Sequence, residues 1–210
     1  MSKSTVWDKI YREYLGAGEK YATIGGNLHP LFIDFVKNHN FPQKSALDIG
    51  CGEGTYLKYL KDHGFQVAGI DSSAKAVEVT RQLVGETELI QVVDMYQYEI
   101  PVNKYDLVVS VAAIHHGRKA AINSLISRVN QALVPGGWTF ITISDVEVMK
   151  ARHKPFREIE PGTFEPLTGP EKGLLHSGFT EEETRKMFSE FTKLNIVKDH
   201  KSRWLVMSQK

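Results

Sequence analysis

Leu47-Asp48-Ile49-Gly50-Cys51-Gly52-Glu53-Gly54 runs from an apolar segment of strand length into three alternating glycines. A tight turn at the carboxyl end of a strand favours residues without Cβ. They tolerate unusual dihedrals and let a ligand approach the backbone N–H groups at the next helix N-terminus. Working outward, apolar runs of strand length occupy 45–50, 66–71, 88–94, 105–112 and 137–144. Between them, 55–63, 74–84 and 119–133 carry apolar residues at three- and four-residue spacing, so strands alternate with helices. This alternation predicts an α/β fold of Rossmann-like, doubly wound type, which binds ligands at the carboxyl edge of its strands.

Toward the ends the pattern changes. Val6, Ile10, Tyr11, Tyr14 and Leu15, then Leu28, Leu31, Phe32, Phe35 and Val36 behind Pro30, fall at helical spacing and predict two N-terminal helices. The runs 191–198 and 204–208 are separated only by a short polar turn, so they should pair as an antiparallel edge hairpin and complete a seven-stranded, mostly parallel sheet. A helix over 180–188 precedes them, opened by a capping box at Thr180 and Glu183. Pro155, Pro161, Pro166 and Pro170 with Gly162, Gly169, Gly173 and Gly178 predict an irregular, lid-like loop over 151–178.

The 210 residues suit one globular domain, and 26 basic against 25 acidic residues create no global field to gather polyanions. Cys51, the single cysteine, has no partner for a disulfide or a thiolate zinc site, which suits a reducing compartment. The N-terminus lacks a continuous apolar stretch and no run of about 18 apolar residues occurs, so the expectation is a cytoplasmic protein without a signal peptide or membrane span.

Asp71 ends the second strand beside the glycine loop, where a carboxylate can accept both hydroxyls of a ribose; with Ser72 and Ser73 it can equally cap the following helix. Asp94 ends the third strand, where it can accept a hydrogen bond from an exocyclic amine such as that of adenine. A nicotinamide-dinucleotide fingerprint needs Gly-x-Gly-x-x-Gly, but Gly50, Gly52 and Gly54 give Gly-x-Gly-x-Gly with Thr55 next, and the register disagrees.

On these residues the chain resembles class I S-adenosylmethionine-dependent methyltransferases, chiefly over 45–144. Asp48, Gly50, Gly52 and Gly54 stand in the places of that family's first motif, with Cys51 where the backbone faces the methionine part. Asp71 matches the ribose-binding acid, and Asp94 with Met95 matches the pair beside adenine. Tyr105-Asp106-Leu107-Val108-Val109-Ser110 resembles the fourth-strand motif, and Leu133-Val134-Pro135-Gly136-Gly137 the one before the fifth strand. The resemblance implies S-adenosyl-L-methionine as cofactor, S-adenosyl-L-homocysteine as product, and Ser72, Ser110 and Tyr11 among the cofactor contacts. It also implies one methyltransferase domain over 1–210. Its parts would be a helical cap (1–43), a cofactor-binding core (44–144), a lid-like insertion (145–179), then a helix and edge hairpin (180–210).

His115 and His116 follow the fourth strand, on the loop that in this family faces the donor methyl. They are the candidate catalytic residues, as a base for a protonated acceptor or as groups that orient it. His176 is a further candidate to face the pocket, and Trp7, Tyr11, Tyr14 and Tyr21 could cover the methionine part. The remaining histidines are scattered and the adjacent pair lacks an obvious third ligand, so no metal is expected. The only thiol lies in the glycine loop, which leaves no candidate for cysteine nucleophilic catalysis.

Locally, 49–57 and 110–116 are similar to enzymes that methylate a carboxylate on the wobble uridine of transfer RNA. The C-terminal third is similar instead to small bacterial-type methyltransferases of mostly unassigned substrate. The best basic face, Lys150, Arg152, His153, Lys154 and Arg157, is diluted by Glu147, Glu158 and Glu160. A small-molecule acceptor is therefore expected over RNA, with a non-catalytic cofactor-binding subunit as a reading from another class. The sequence carries no sign of oligomeric state.

Overall fold

The computed structural model describes residues 3–17, 27–85, 89–152 and 155–210. Tyr21, Glu88, His153 and Lys154 lie outside the described residues, as do the side chains of Leu15 and Arg152. All but the first residue of β1 (Ser45–Ile49) are buried, which suits a strand covered on both faces. It pairs in parallel with β2 (Gln66–Asp71) on one side and with β4 (Tyr105–Ser110) on the other. β3 (Ile90–Val92) extends the sheet beyond β2, also in parallel. β5 (Leu133–Ile143), β9 (Lys193–Lys198) and β10 (Trp204–Gln209) complete it, in the order β3-β2-β1-β4-β5-β10-β9. β10 runs antiparallel to both β5 and β9, so the expected seven strands and edge hairpin are present.

The chain divides into two compact units, Met1–Glu99 with Lys104–Val109 and Ile100–Asn103 with Ser110–Lys210. In the first unit lie α1 (Lys3–Ala17), α2 (Phe32–Asn38), α3 (Thr55–Asp62) and α4 (Ala74–Val84). Asp106, from the fourth-strand motif, accepts at Oδ2 from the Ser45 N–H (3.0 Å), the Ser45 hydroxyl (3.1 Å) and the Gln43 N–H (3.1 Å). Its work is to hold the start of β1, at the opposite end from the glycines. α1 packs through Ile10 and Tyr11 against Ala76 of α4. Asp8 of α1 accepts from the Lys75 N–H (2.8 Å) and the Ser73 hydroxyl (3.1 Å), so a side chain of one helix satisfies donors at the N-terminus of another.

The second unit contains α5 (Lys119–Ala132), α6 (Val146–Arg152) and α7 (Glu181–Met187). α7 starts with the expected reciprocal capping box between Thr180 and Glu183. α6 was not expected; Asp145 starts it by accepting from the Glu147 N–H (2.7 Å) and the Val148 N–H (3.2 Å). The irregular loop expected over 151–178 is corrected too. β6 (Phe156–Glu160), β7 (Thr163–Pro166) and β8 (His176–Ser177) form a separate three-stranded antiparallel sheet there. Pro161 and Gly162 make the β6–β7 turn, with Gly162 at φ 78°, and Pro166 ends β7, so these residues punctuate the strands without abolishing them. β5 begins at Leu133, so the Pro135-Gly136-Gly137 segment belongs to the strand and does not precede it.

The β9–β10 turn is held by Asp199, which accepts from the Lys201 and Arg203 N–H groups at 2.8 Å each and from Arg203 Nε at 2.8 Å. Both members of this ion pair are buried. No helix among the described residues is long and apolar enough to cross a membrane.

Candidate functional site

The glycine loop is built by β2. The N–H groups of Gly50 (2.8 Å) and Cys51 (3.0 Å) both donate to the Ile70 carbonyl, turning the chain sharply at the end of β1. Gly52 N–H donates to Asp71 Oδ2 at 3.0 Å, while Asp71 Oδ1 accepts from the Ser73 N–H at 2.9 Å. The Ser72 N–H donates to the same carboxylate, so three backbone donors hold it and about one of its four acceptor sites remains. Ser73 is the cap of α4, accepting from the Ala76 N–H at 3.2 Å, so Asp71 helps form the turn and Ser72 stands between them, half-buried. Burial pushes the Asp71 carboxyl up, against the pull of the Ser73, Gly52 and Ser72 N–H groups.

Gly52 and Gly54 have φ of 55° and 80°, in the left-handed region. A Cβ at Gly52 would lie 2.7 Å from Tyr11 Oη, and one at Gly54 would lie 2.8 Å from Thr80 Cγ2. The loop is therefore enclosed from two sides, by α1 and by α4. Thr80 also donates its hydroxyl to the Gly52 carbonyl at 2.7 Å, a contact that a lone Thr inside a helix pattern did not announce. Burial and the nearby Asp71 raise the Tyr11 hydroxyl pKa well above its usual value, so it stays protonated. The same two causes raise the Cys51 thiol, which is no thiolate nucleophile.

Asp48 is buried in β1, and burial followed by the charge of Asp71 pushes its pKa up to about 8. A carboxyl so placed gains strongly from a cation brought beside it. Asp94 lies two residues beyond the observed end of β3, a correction to its expected place in the strand. It accepts the Tyr96 N–H at 2.9 Å through Oδ1, forming a turn that also contains the half-buried Met95. Ser110 is the buried last residue of β4. β4 runs parallel to β1, so its carboxyl end lies on the glycine-loop edge of the sheet.

In the second unit, Ala112 holds φ 59°, unusual for a residue with a side chain, and its N–H donates to Thr142 Oγ1 at 2.8 Å. His115 and His116 follow, both buried, with ring centroids 4.0 Å apart. His176 of β8 joins them from far along the chain, its ring 4.7 Å from His116 and 5.9 Å from His115. The Ser177 N–H donates to the His115 carbonyl at 2.9 Å and the Ser177 hydroxyl to the Gly117 carbonyl at 2.6 Å, which fastens β8 to the histidine pair. The histidine singled out as a candidate to face the pocket is thus in the cluster, together with Glu171, whose Oε2 is 3.1 Å from His176 Nε2.

A protein-family model described as a methyltransferase domain matches residues 46–137. Over that segment the chain is similar to methyltransferase domains. A ubiquinone biosynthesis O-methyltransferase of Hydrogenovibrio crunogenus is 31% identical to this chain over 122 residues, 55% of this chain and 49% of that protein. The chain spans about half the length of the first curated relatives it matches. An EEF1A lysine methyltransferase 2 of Danio rerio is 25% identical over 183 residues, 76% of this chain and 78% of that one. A solved S-adenosylmethionine-dependent methyltransferase from Methanosarcina mazei superposes with a TM-score of 0.67 at 20% identity, covering 88% of this chain and 98% of that one, a likeness of fold.

Proposed function

We propose that this methyltransferase domain binds S-adenosyl-L-methionine and passes its methyl group to an oxygen or nitrogen of a small-molecule acceptor, releasing S-adenosyl-L-homocysteine. The observation that carries the reading is the coupled Asp48, Gly52 and Asp71 arrangement, which fits such a nucleotide. Asp71 accepts a ribose hydroxyl with the acceptor site that the Gly52, Ser72 and Ser73 N–H groups leave. Asp94 accepts from the adenine amine beside Met95, and Asp48, held protonated by burial, ionises as it receives the ammonium. Gly50, Cys51 and Gly54 let the backbone approach the methionine part, with Ser72, Ser110 and Tyr11 around the nucleotide. When bound, the donor supplies an electrophilic methyl on sulfur; the C–S bond breaks as the acceptor bond forms, and the electron pair stays on sulfur.

His115 and His116 act on the acceptor, by orienting it or by taking its proton. The O-methyltransferase relative supports a small acceptor. An RNA acceptor is disfavoured because the described basic residues of the candidate face are paired, Lys150 with Glu147 at 2.9 Å and Arg157 with Glu165 at 2.7 Å. A cytoplasmic location goes with this reading, on the single unpaired-by-disulfide Cys51. Product formation should be screened with small phenols, carboxylates and amines before transfer RNA, in the wild type and in His115→Ala and His116→Ala. Loss of turnover with unchanged donor affinity supports the acceptor role. Donor binding without turnover on any acceptor favours a non-catalytic subunit.

A further inference from the structure

We propose that His115, His116 and His176 form a binding site for one divalent transition-metal ion, zinc in type, with a fourth position open to water or to an acceptor oxygen. Each of the three buried imidazoles offers one ring nitrogen, and these atoms lie within 4.8 Å of one another. Tetrahedral zinc with Zn–N bonds near 2.1 Å needs nitrogens roughly 3.4 Å apart, so small ring rotations of about 1 Å would close the set. Neutral imidazoles select zinc, cobalt, nickel, copper or iron over magnesium and calcium, which prefer oxygen. Three protein ligands leave a coordination position that a structural four-ligand site does not have.

The surroundings of two of the rings fit ligation. His116 Nδ1 lies 2.9 Å from the Ala113 carbonyl, and because a carbonyl only accepts, Nδ1 carries the proton and Nε2 the lone pair. His176 Nε2 lies 3.1 Å from the Glu171 carboxylate, and a carboxylate beside a ligating imidazole strengthens it as a ligand. The frame is fixed by backbone: β8 is bonded to the His115 and Gly117 carbonyls, and the Thr163 and Ser177 hydroxyls meet at 2.6 Å. The sequence expectation of no metal rested on the missing third ligand, which the β6–β7–β8 sheet supplies.

Metal binding by the cluster stands without methyl transfer; its use rests on the reading above. There, a bound ion would hold an acceptor oxygen and lower the pKa of its hydroxyl. The histidines then position the acceptor through the ion and take no proton themselves.

The test uses the full chain, stripped with chelator and titrated with Co(II), read by the visible bands of tetrahedral cobalt and by metal analysis. The expected result is one ion per chain, displaced by zinc. His116→Gln and His176→Gln should each abolish the tetrahedral spectrum, and His63→Gln, on an exposed helix end, should leave it unchanged. Glu171→Gln keeps all three buried rings and should weaken binding about 10–100-fold, which keeps the test open if a histidine variant folds poorly. No cobalt or zinc bound by the wild type, or the same stoichiometry and spectrum in the histidine variants, would overturn the proposal. Donor titration of the metal-free chain reads the first unit separately, so a failed donor site and a failed metal site are distinguishable.

Discussion

The backbone N–H of Gly52 donates to Asp71 Oδ2 at 3.0 Å, joining the glycine loop after β1 to the acid at the end of β2. Neither feature stands alone: the loop conformation aims the N–H, and the carboxylate holds the loop. Gly52→Ala forces a side chain into the left-handed region, at about 1–2 kcal/mol, and places a Cβ 2.7 Å from Tyr11 Oη. Denaturant unfolding should show that loss and more. Adding Tyr11→Phe removes the crowding oxygen, so the double variant should recover the excess above the backbone cost. Equal stability of single and double variants would show that Tyr11 does not press on the loop.

Asp48 makes stability fall with pH. Its folded pKa is about 8 against an ordinary carboxyl value near 4, so between these values the folded chain binds a proton that the unfolded chain has released. Stability therefore declines as pH rises through that window and levels off above it. Asp48→Asn should remove this decline, seen as a smaller difference between urea midpoints at low and high pH. If Asp48 receives the donor's ammonium, wild-type donor binding below pH 8 should also release a proton, detectable by calorimetry in buffers of different ionisation enthalpy.

Asp8 ties α1 to the N-terminus of α4 through the Lys75 N–H and the Ser73 hydroxyl. Asp8→Ala leaves those donors to solvent and should cost about 0.5–2 kcal/mol, the usual range for a lost helix cap. Hydrogen exchange should locate the loss in α1 and the first turn of α4, with β1 and β2 unchanged.

The parallel core was legible because each strand is a short apolar run and each helix has its own period; Asp48, Asp71 and the glycines were legible because turn chemistry is local. What escaped notice depends on distant segments meeting. The β6–β7–β8 sheet hid behind prolines and glycines that lie in its turns, and α6 behind an Asp145 whose capping needs the folded turn. Asp106 read as part of a family motif, yet it serves the start of β1 across about sixty residues. His176 stood out as a polar residue in a glycine-rich stretch, but only strand pairing brings it to His115 and His116.

The edge hairpin depends on the buried Asp199–Arg203 pair, with Arg203 Nη2 2.7 Å from Asp199 Oδ2. Asp199→Ala strands a buried guanidinium and should cost about 3–5 kcal/mol. Thermal unfolding should fall clearly, and Asp199→Asn, which keeps acceptors for the turn N–H groups, should lie between wild type and Asp199→Ala.

The most direct measurement of the central claim is calorimetric titration of the full chain with S-adenosylmethionine, S-adenosylhomocysteine and NADH, beside Asp71→Ala. The expected result is saturable one-to-one binding of both sulfur nucleotides, none of NADH, and a weakening of about 10–100-fold in Asp71→Ala, the factor expected for lost hydrogen bonds to a charged group. Binding of NADH alone, or sulfur-nucleotide binding that Asp71→Ala leaves unchanged, would contradict the assignment of the Gly52–Asp71 edge as the donor site.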